Sequence, residues 1–121
     1  MTGELIDARS GRVLVERVER ARGLGRTIGL LGRRVLDYDD GLWFDRCGAV
    51  HTIGMRIPID IVFLDEEGCV VRADENVPPW RPVVSARGAR ATLELAAGCC
   101  RRIGIAPGQV LEMRWDSSTP S

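Results

Sequence analysis

The feature that most constrains this chain is a long apolar stretch from Leu42 to Leu64. Its odd positions from 47 to 63 read Cys, Ala, His, Ile, Met, Ile, Ile, Ile, Phe. Successive side chains on a strand point to opposite faces, so one apolar parity marks strands with one side turned inward. Gly54 and Pro58 interrupt the run, because Pro lacks a ladder donor and Gly weakens a strand. The stretch is therefore read as two strands, 43–52 and 59–64, whose alternate side chains share a common interior.

The rest of the chain supplies short partners for them. Leu5-Ile6 and Arg12 to Val18 form an expected hairpin about Ser10-Gly11. Leu24, Ile28 and Leu31 have the spacing of one helical face, so residues 20–34 are read as a helix weakened by Gly23, Gly25, Gly29 and Gly32. Asp37 to Gly41 has turn chemistry, and Asp65-Glu66-Glu67-Gly68 is a hairpin turn into a strand from Cys69. Val77 to Pro82 holds three prolines and is an extended loop. Thr92 to Leu95 is a strand, Ala96 to Arg102 one or two helical turns stopped near Gly104, and Gln109 to Trp115 a last strand. The polar tail, Asp116 to Ser121, is expected to fray.

At 121 residues the chain has one domain's length, 1–121. Its 45% hydrophobic and 28% charged residues fit a soluble globular class. Seventeen basic and seventeen acidic residues cancel, which argues against a general nucleic-acid binder. No apolar run approaches the roughly 20 residues of a membrane span. No signal peptide opens the sequence, so the four cysteines are read as reduced thiols in a bacterial cytoplasm. Charge is uneven, however: residues 9–34 carry eight Arg against two acids, and residues 37–67 eight acids against two Arg.

Several residues can be weighed for chemistry. His51 is the sole histidine and shares a parity with Cys47 and Met55, a soft-metal set in residue type. Residues four apart on a straight strand are about 13 Å apart, too far for one ion. The expectation is thus no metal and no cofactor, with His51 hydrogen-bonded in the core. Asp60, an acid inside an apolar run, needs a partner. It is read first as an anchor that accepts backbone N–H bonds or pairs with Arg33 or Arg56, and second as a carboxylate at a pocket rim. Cys99 and Cys100 are read as one packed inward and one exposed; a thiol at a helix start is a weaker redox alternative. No C-x-x-C exists, and without Lys there is no Walker lysine. Trp80 on the Pro-rich loop either covers a pocket or a partner surface or plugs the mouth of the barrel.

The order of motifs resembles a known family. Gly29-Leu30-Leu31-Gly32-Arg33 comes first, then Gly41-Leu42-Trp43-Phe44. His51-Thr52-x-x-Met55-Arg56-x-Pro58-Ile59-Asp60-x-x-Phe63-Leu64-Asp65 follows. Leu93-Glu94-Leu95-Ala96-Ala97-Gly98 and Gly104-Ile105-x-x-Gly108 close the series. Over residues 13–113 this is similar to domain of unknown function 192. Where much of that family carries Trp-Met-Lys-Asn-Thr, this chain has His51-Thr52-Ile53-Gly54-Met55, so roles of those residues do not transfer. The resemblance implies a compact α+β domain with a small, mostly antiparallel, barrel-like curved sheet and one or two short helices. It implies no particular reaction.

No nucleophile–base pair stands out, so no catalytic residue is assigned. The first reading is a non-enzymatic module that binds a small molecule or protein in a groove among His51–Asp60, Pro78–Arg81 and Gly98–Arg102. His51, Met55, Arg56, Asp60, Trp80 and Arg81 are its candidate ligand-binding residues. The alternatives are a small enzyme using His51 and Asp60 as an acid–base pair, although their parities differ, and a phosphate or nucleic-acid binder using the Arg-rich segment 20–34.

Overall fold

The computed structural model describes residues 1–21 and 35–116. Among the described residues, nine strands and one short helix follow in chain order: β1 (Thr2–Asp7), β2 (Val13–Arg20), β3 (Asp40–Asp45), β4 (Ala49–Val50), β5 (Ile59–Leu64), β6 (Val70–Val77), β7 (Val84–Ser85), β8 (Ala91–Ala96), α1 (Cys99–Ile103) and β9 (Leu111–Trp115). The helix expected at 20–34 lies almost wholly outside the described residues.

Turn chemistry sets the hairpins. Asp7 Oδ1 accepts the N–H groups of Arg9 and Ser10, and Gly11 takes φ +76° to turn the chain from β1 into β2. At Asp65–Gly68, Asp65 Oδ1 accepts from Glu67 and Cys69 at 2.9 Å each, and Gly68 has φ +85°. Side chains that bond their own backbone, and glycines at positive φ, are the usual means of reversing a strand.

Seven strands form one sheet in the order β6-β5-β8-β3-β2-β1-β9, and β4 pairs with β7 in a separate two-stranded ribbon. β2 and β3 run parallel, while the other pairs of the large sheet are antiparallel. β5 and β8 lie side by side, and all twelve of their residues are buried. Their two faces feed two cores. The inner core gathers Leu5, Val15, Val18, Val62, Leu64, Val70, Leu93, Leu95 and Leu111, with Cys99, Cys100 and Ile105 from α1 and the loop after it. The outer core gathers Leu42, Phe44, Met55, Ile59, Ile61, Phe63 and Val77 beneath the β4–β7 ribbon, whose Cys47, Val50, Val84, Ala86 and Ala89 pack down on it.

Two expectations are corrected. The fold is predominantly β rather than α+β: 50% of the described residues are strand and 5% helix. The sheet is also an open, mixed one rather than a barrel. The edges of β6 and β9 meet at one corner, where Val70 bonds Gln109 and Gly108, Leu111 N donates to the Gly68 carbonyl, and Cys69 bridges Val110. That corner contact curls the sheet around the inner core without a continuous closing ladder.

The inward parity of 47–63 holds for Ile59, Ile61 and Phe63 and fails for 47–53. β3 ends at Asp45, Arg46 turns at φ +49°, and the chain leaves the sheet. Ala49, His51 and Ile53 are exposed, and Cys47 is half-buried at the ribbon. A two-residue strand in a surface ribbon has one wet face whatever its hydropathy.

The β1–β9 ladder requires glycine at position 3. A Cβ there would stand 2.6 Å from the Arg114 carbonyl oxygen and 2.9 Å from Trp115 Cα. Gly3→Ala is expected to cost about 1–3 kcal/mol through forced backbone displacement, read as a lower urea midpoint at an unchanged slope.

Candidate functional site

Two buried threonines hold the outer ribbon: Thr92 donates its hydroxyl to the Cys47 carbonyl at 2.7 Å, and Thr52 ties the other end. Thr52 donates its N–H to the Arg81 carbonyl at 2.9 Å and its hydroxyl to the Pro78 carbonyl at 2.8 Å. Its Oγ1 accepts from Arg81 N at 2.9 Å, and its carbonyl accepts from Trp80 N at 2.8 Å and Met55 N at 3.1 Å. The loop from Pro78 to Pro82 cannot lend itself to a ladder, so this side chain does what a strand partner would do.

The clamp fixes Trp80 in an unusual state. Its φ is +69°, a left-handed conformation that costs a bulky residue about 1–2 kcal/mol, yet its side chain is 67% exposed. Ile53 and Val83 are exposed beside it in the same loops, at 41% and 68%. His51, Arg56 and Arg81 are exposed too, and His51 Nδ1 accepts from Ile53 N at 3.2 Å. The core histidine expected from parity is thus a surface one. Beneath this ledge, between β6 and the 81–85 segment, runs a depression of about 610 Å³ lined by Arg72, Asp74, Asn76, Arg81, Val83 and Ser85.

Of the six candidate residues, four share this ledge: His51, Arg56, Trp80 and Arg81. Met55 points into the outer core at 5% exposure. Asp60 is fully buried on the opposite face of β5. Its Oδ1 accepts from Asn76 N at 2.8 Å and Gly98 N at 3.2 Å, and its Oδ2 from Cys100 N at 2.9 Å. Asn76 and Gly98 both have positive φ, 55° and 89°. Asp60 therefore ties a bulge of β6 to the start of α1. Neither Arg56 nor His51 reaches it, so the acid–base pair is not assembled. The Gly98–Arg102 turn lines a smaller depression of about 390 Å³ with Glu75 and Asn76.

Cys99 and Cys100 are both buried, which corrects the expectation of one exposed thiol. Burial, with the Asp60 carboxylate second, pushes the Cys99 thiol up to about 11 and the Cys100 thiol higher still. A thiol at a helix start is lowered when it faces the N-terminal dipole in the open; here desolvation outweighs that effect. Cys47 Sγ donates to the Ala49 carbonyl at 3.0 Å, apart from His51 on the ledge and Met55 in the core, so these three do not gather. Among the described residues no three His, Cys, Asp or Glu side chains gather as a metal site.

Sequence reasoning missed Glu94. It stands on β8 between Leu93 and Leu95, opposite Leu42 and Ile61, and turns toward the outer core at 5% exposure. Burial raises its carboxyl to about 7. The available signal was an acid inside the apolar run Ala91 to Ala97, of the kind that singled out Asp60. The two differ in supply: Asp60 has three N–H donors, while Glu94 has apolar neighbours.

These two acids give opposite expectations. In Asp60→Asn the new amide group opposes a backbone N–H, and the variant should lose about 1–3 kcal/mol in denaturant unfolding. Glu94 has a raised folded value, so between about pH 4.5 and 7 the folded state holds a proton that the unfolded chain has released. Its ionisation then opposes folding, and stability falls as pH rises through that window, by on the order of 3 kcal/mol in all. Glu94→Gln should flatten the slope, measured as the unfolding midpoint across pH.

The described part of the molecule is thus an open mixed β-sheet that presents a clamped aromatic ledge on an outer ribbon. The chain belongs to the family domain of unknown function 192, described as Uncharacterized ACR, whose match covers residues 7–113. No curated protein gives a significant match. Among solved structures it is similar to a provisionally assigned transcription regulator of Sinorhizobium meliloti 1021, with 32% identity, a TM-score of 0.78, and 93% of this chain and 92% of that one covered. It is also similar to a protein of unknown function from Novosphingobium aromaticivorans DSM 12444, with 26% identity, a TM-score of 0.77, and 93% and 84% covered. A provisionally assigned exported protein of Burkholderia pseudomallei K96243 shares the fold at 17% identity and a TM-score of 0.51, with 93% and 24% covered.

Proposed function

We propose that the protein is a non-catalytic binding module whose binding surface is the ledge of His51, Ile53, Arg56, Trp80, Arg81 and Val83. The observation that carries this is Trp80 itself. A bulky residue is held at positive φ by bonds from a buried Thr52, and the strain delivers its ring to solvent rather than to a core. Strained backbone that surrounding structure over-determines is concentrated at ligand and partner contacts. Trp is also the residue type most enriched in binding hot spots. A regulator's role, provisionally assigned to the Sinorhizobium meliloti structure, is compatible with binding rather than catalysis.

Trp80→Ala should leave thermal stability within about 0.5 kcal/mol, as for surface substitutions. In a fragment screen read by backbone amide shifts of the intact chain, perturbations should cluster at residues 51–56 and 80–85 and weaken in Trp80→Ala. The competing place is the depression of about 600 Å³ at Trp43, Asp45, Glu66, Glu67, Arg90 and Met113. Clustering there, or the same pattern in Trp80→Ala, overturns the proposal.

A further inference from the structure

We infer that the ledge and the ribbon behind it bind single-stranded nucleic acid, an inference that rests on the binding-module reading and names its ligand class. The neutral total charge conceals a local arrangement. The two excursions that build the outer layer, residues 46–58 and 78–90, contain Arg46, Arg56, Arg81, Arg87, Arg90 and His51, and no acidic residue. All six of these side chains are exposed. Elsewhere Arg17, Arg20, Arg72 and Arg101 are paired with Asp40, Asp45, Asp74 and Glu75. Among the described residues no ion pair engages any of the five ribbon arginines. Residues 22–34 have four Arg and no acid, so that segment brings no neutralising carboxylate.

The fold lines these cations up. The two excursions run antiparallel, joined by Cys47 N to the Arg90 carbonyl, Ala86 N to the Gly48 carbonyl, Ala49 paired with Ser85, Val50 with Val84, and Thr52 with Arg81. Arg46, Arg87 and Arg90 stand at one end, where Arg46 and Arg90 border a depression that Asp45, Asp65, Glu66 and Glu67 also line. His51, Arg56 and Arg81 stand at the other, with Trp80. The ladder between the two ends is Ala49–Val50 paired with Val84–Ser85. The apolar side of the ribbon is spent on the outer core, so the charged side faces solvent.

Cations spaced along a track, with an exposed aromatic beside one group, are the elements of single-strand binding: guanidinium groups on phosphates and a ring on which a base stacks. Arginine suits this because its planar fork bonds phosphate and also stacks. A lipid surface would be met by the same charges, but the exposed apolar residues sit at one end of the track instead of forming one inserting face. The test separates the two.

The probe is a fluorescein-labelled oligo-dT of about 12 nucleotides, within the span of a single-strand site, added to the full chain and read by anisotropy. Three phosphate contacts or more should weaken binding roughly 20- to 60-fold between about 50 and 200 mM salt. Trp80→Ala should weaken it about 5- to 100-fold through the lost stack, and the double variant Arg81→Glu with Arg87→Glu should do at least as much. Arg9→Glu with Arg12→Glu, equal in charge but on the β1–β2 hairpin, should leave it unchanged. Absence of oligo-dT binding at low salt, equal loss in the hairpin variant, or tighter binding to vesicles of equimolar phosphatidylcholine and phosphatidylserine overturns the inference. If oligo-dT fails while fragments still cluster at 51–56 and 80–85, only the ligand class falls; if both fail, the ledge falls with it.

Discussion

Strands β5 and β8 lie next to each other with no wet face between them. That constraint governs the rest of the architecture. A strand buried on one side needs one cover, whereas these need two. The inner face is covered by the sheet curling on itself and by α1. The outer face is covered by the 46–58 and 78–90 excursions. The ribbon thus exists because Ile59, Ile61, Phe63, Leu42 and Phe44 must be kept from water. Once it exists, its own outer side is free to carry charge and an exposed indole.

Two carboxylates sit inside these central strands, and their surroundings decide what each does. Asp60 faces the place where β6 bulges and α1 begins, so irregular backbone supplies three N–H donors. A buried carboxylate that receives such donors is a structural tie. Glu94 faces the outer core, where its neighbours are aliphatic, and burial alone sets its titration. The same residue class, one strand apart, is an anchor in one place and a pH-dependent liability in the other.

Charge follows a similar logic. Equal numbers of acidic and basic residues describe the chain and not its surface. Most acids of the described part belong to turns, to ion pairs with arginines or to the interior. Among the described residues the ribbon arginines form no ion pair, because the ribbon's inner side chains are small and apolar and its own loops hold no acid; the nearest carboxylates, Asp45, Glu66 and Glu67, come from neighbouring elements. A neutral protein can in this way present a cationic face, and total charge is a poor guide to that face.

Much of the local structure was legible from residues alone. The turns at Ser10-Gly11 and Asp65–Gly68, the loop of prolines after Val77, the strand at 59–64 and the short helix ending at Gly104 follow from side-chain bonds, positive φ and missing donors, which act within a few residues. The candidate site was legible in part: the meeting of the His51–Met55 segment with the Pro78–Arg81 loop was expected, but Asp60 and Met55 were placed at a surface they do not reach. Parity could not tell that Arg46 takes the chain off the sheet, because a wet ribbon and a dry strand share one alternation. The open edge, the depth of Asp60 and Glu94, the burial of both thiols and the gathering of Arg46, Arg56, Arg81, Arg87 and Arg90 were decided by tertiary structure. Each depends on which distant strand lies alongside, and that is settled by covering both faces of β5 and β8 at once rather than by any neighbour in sequence.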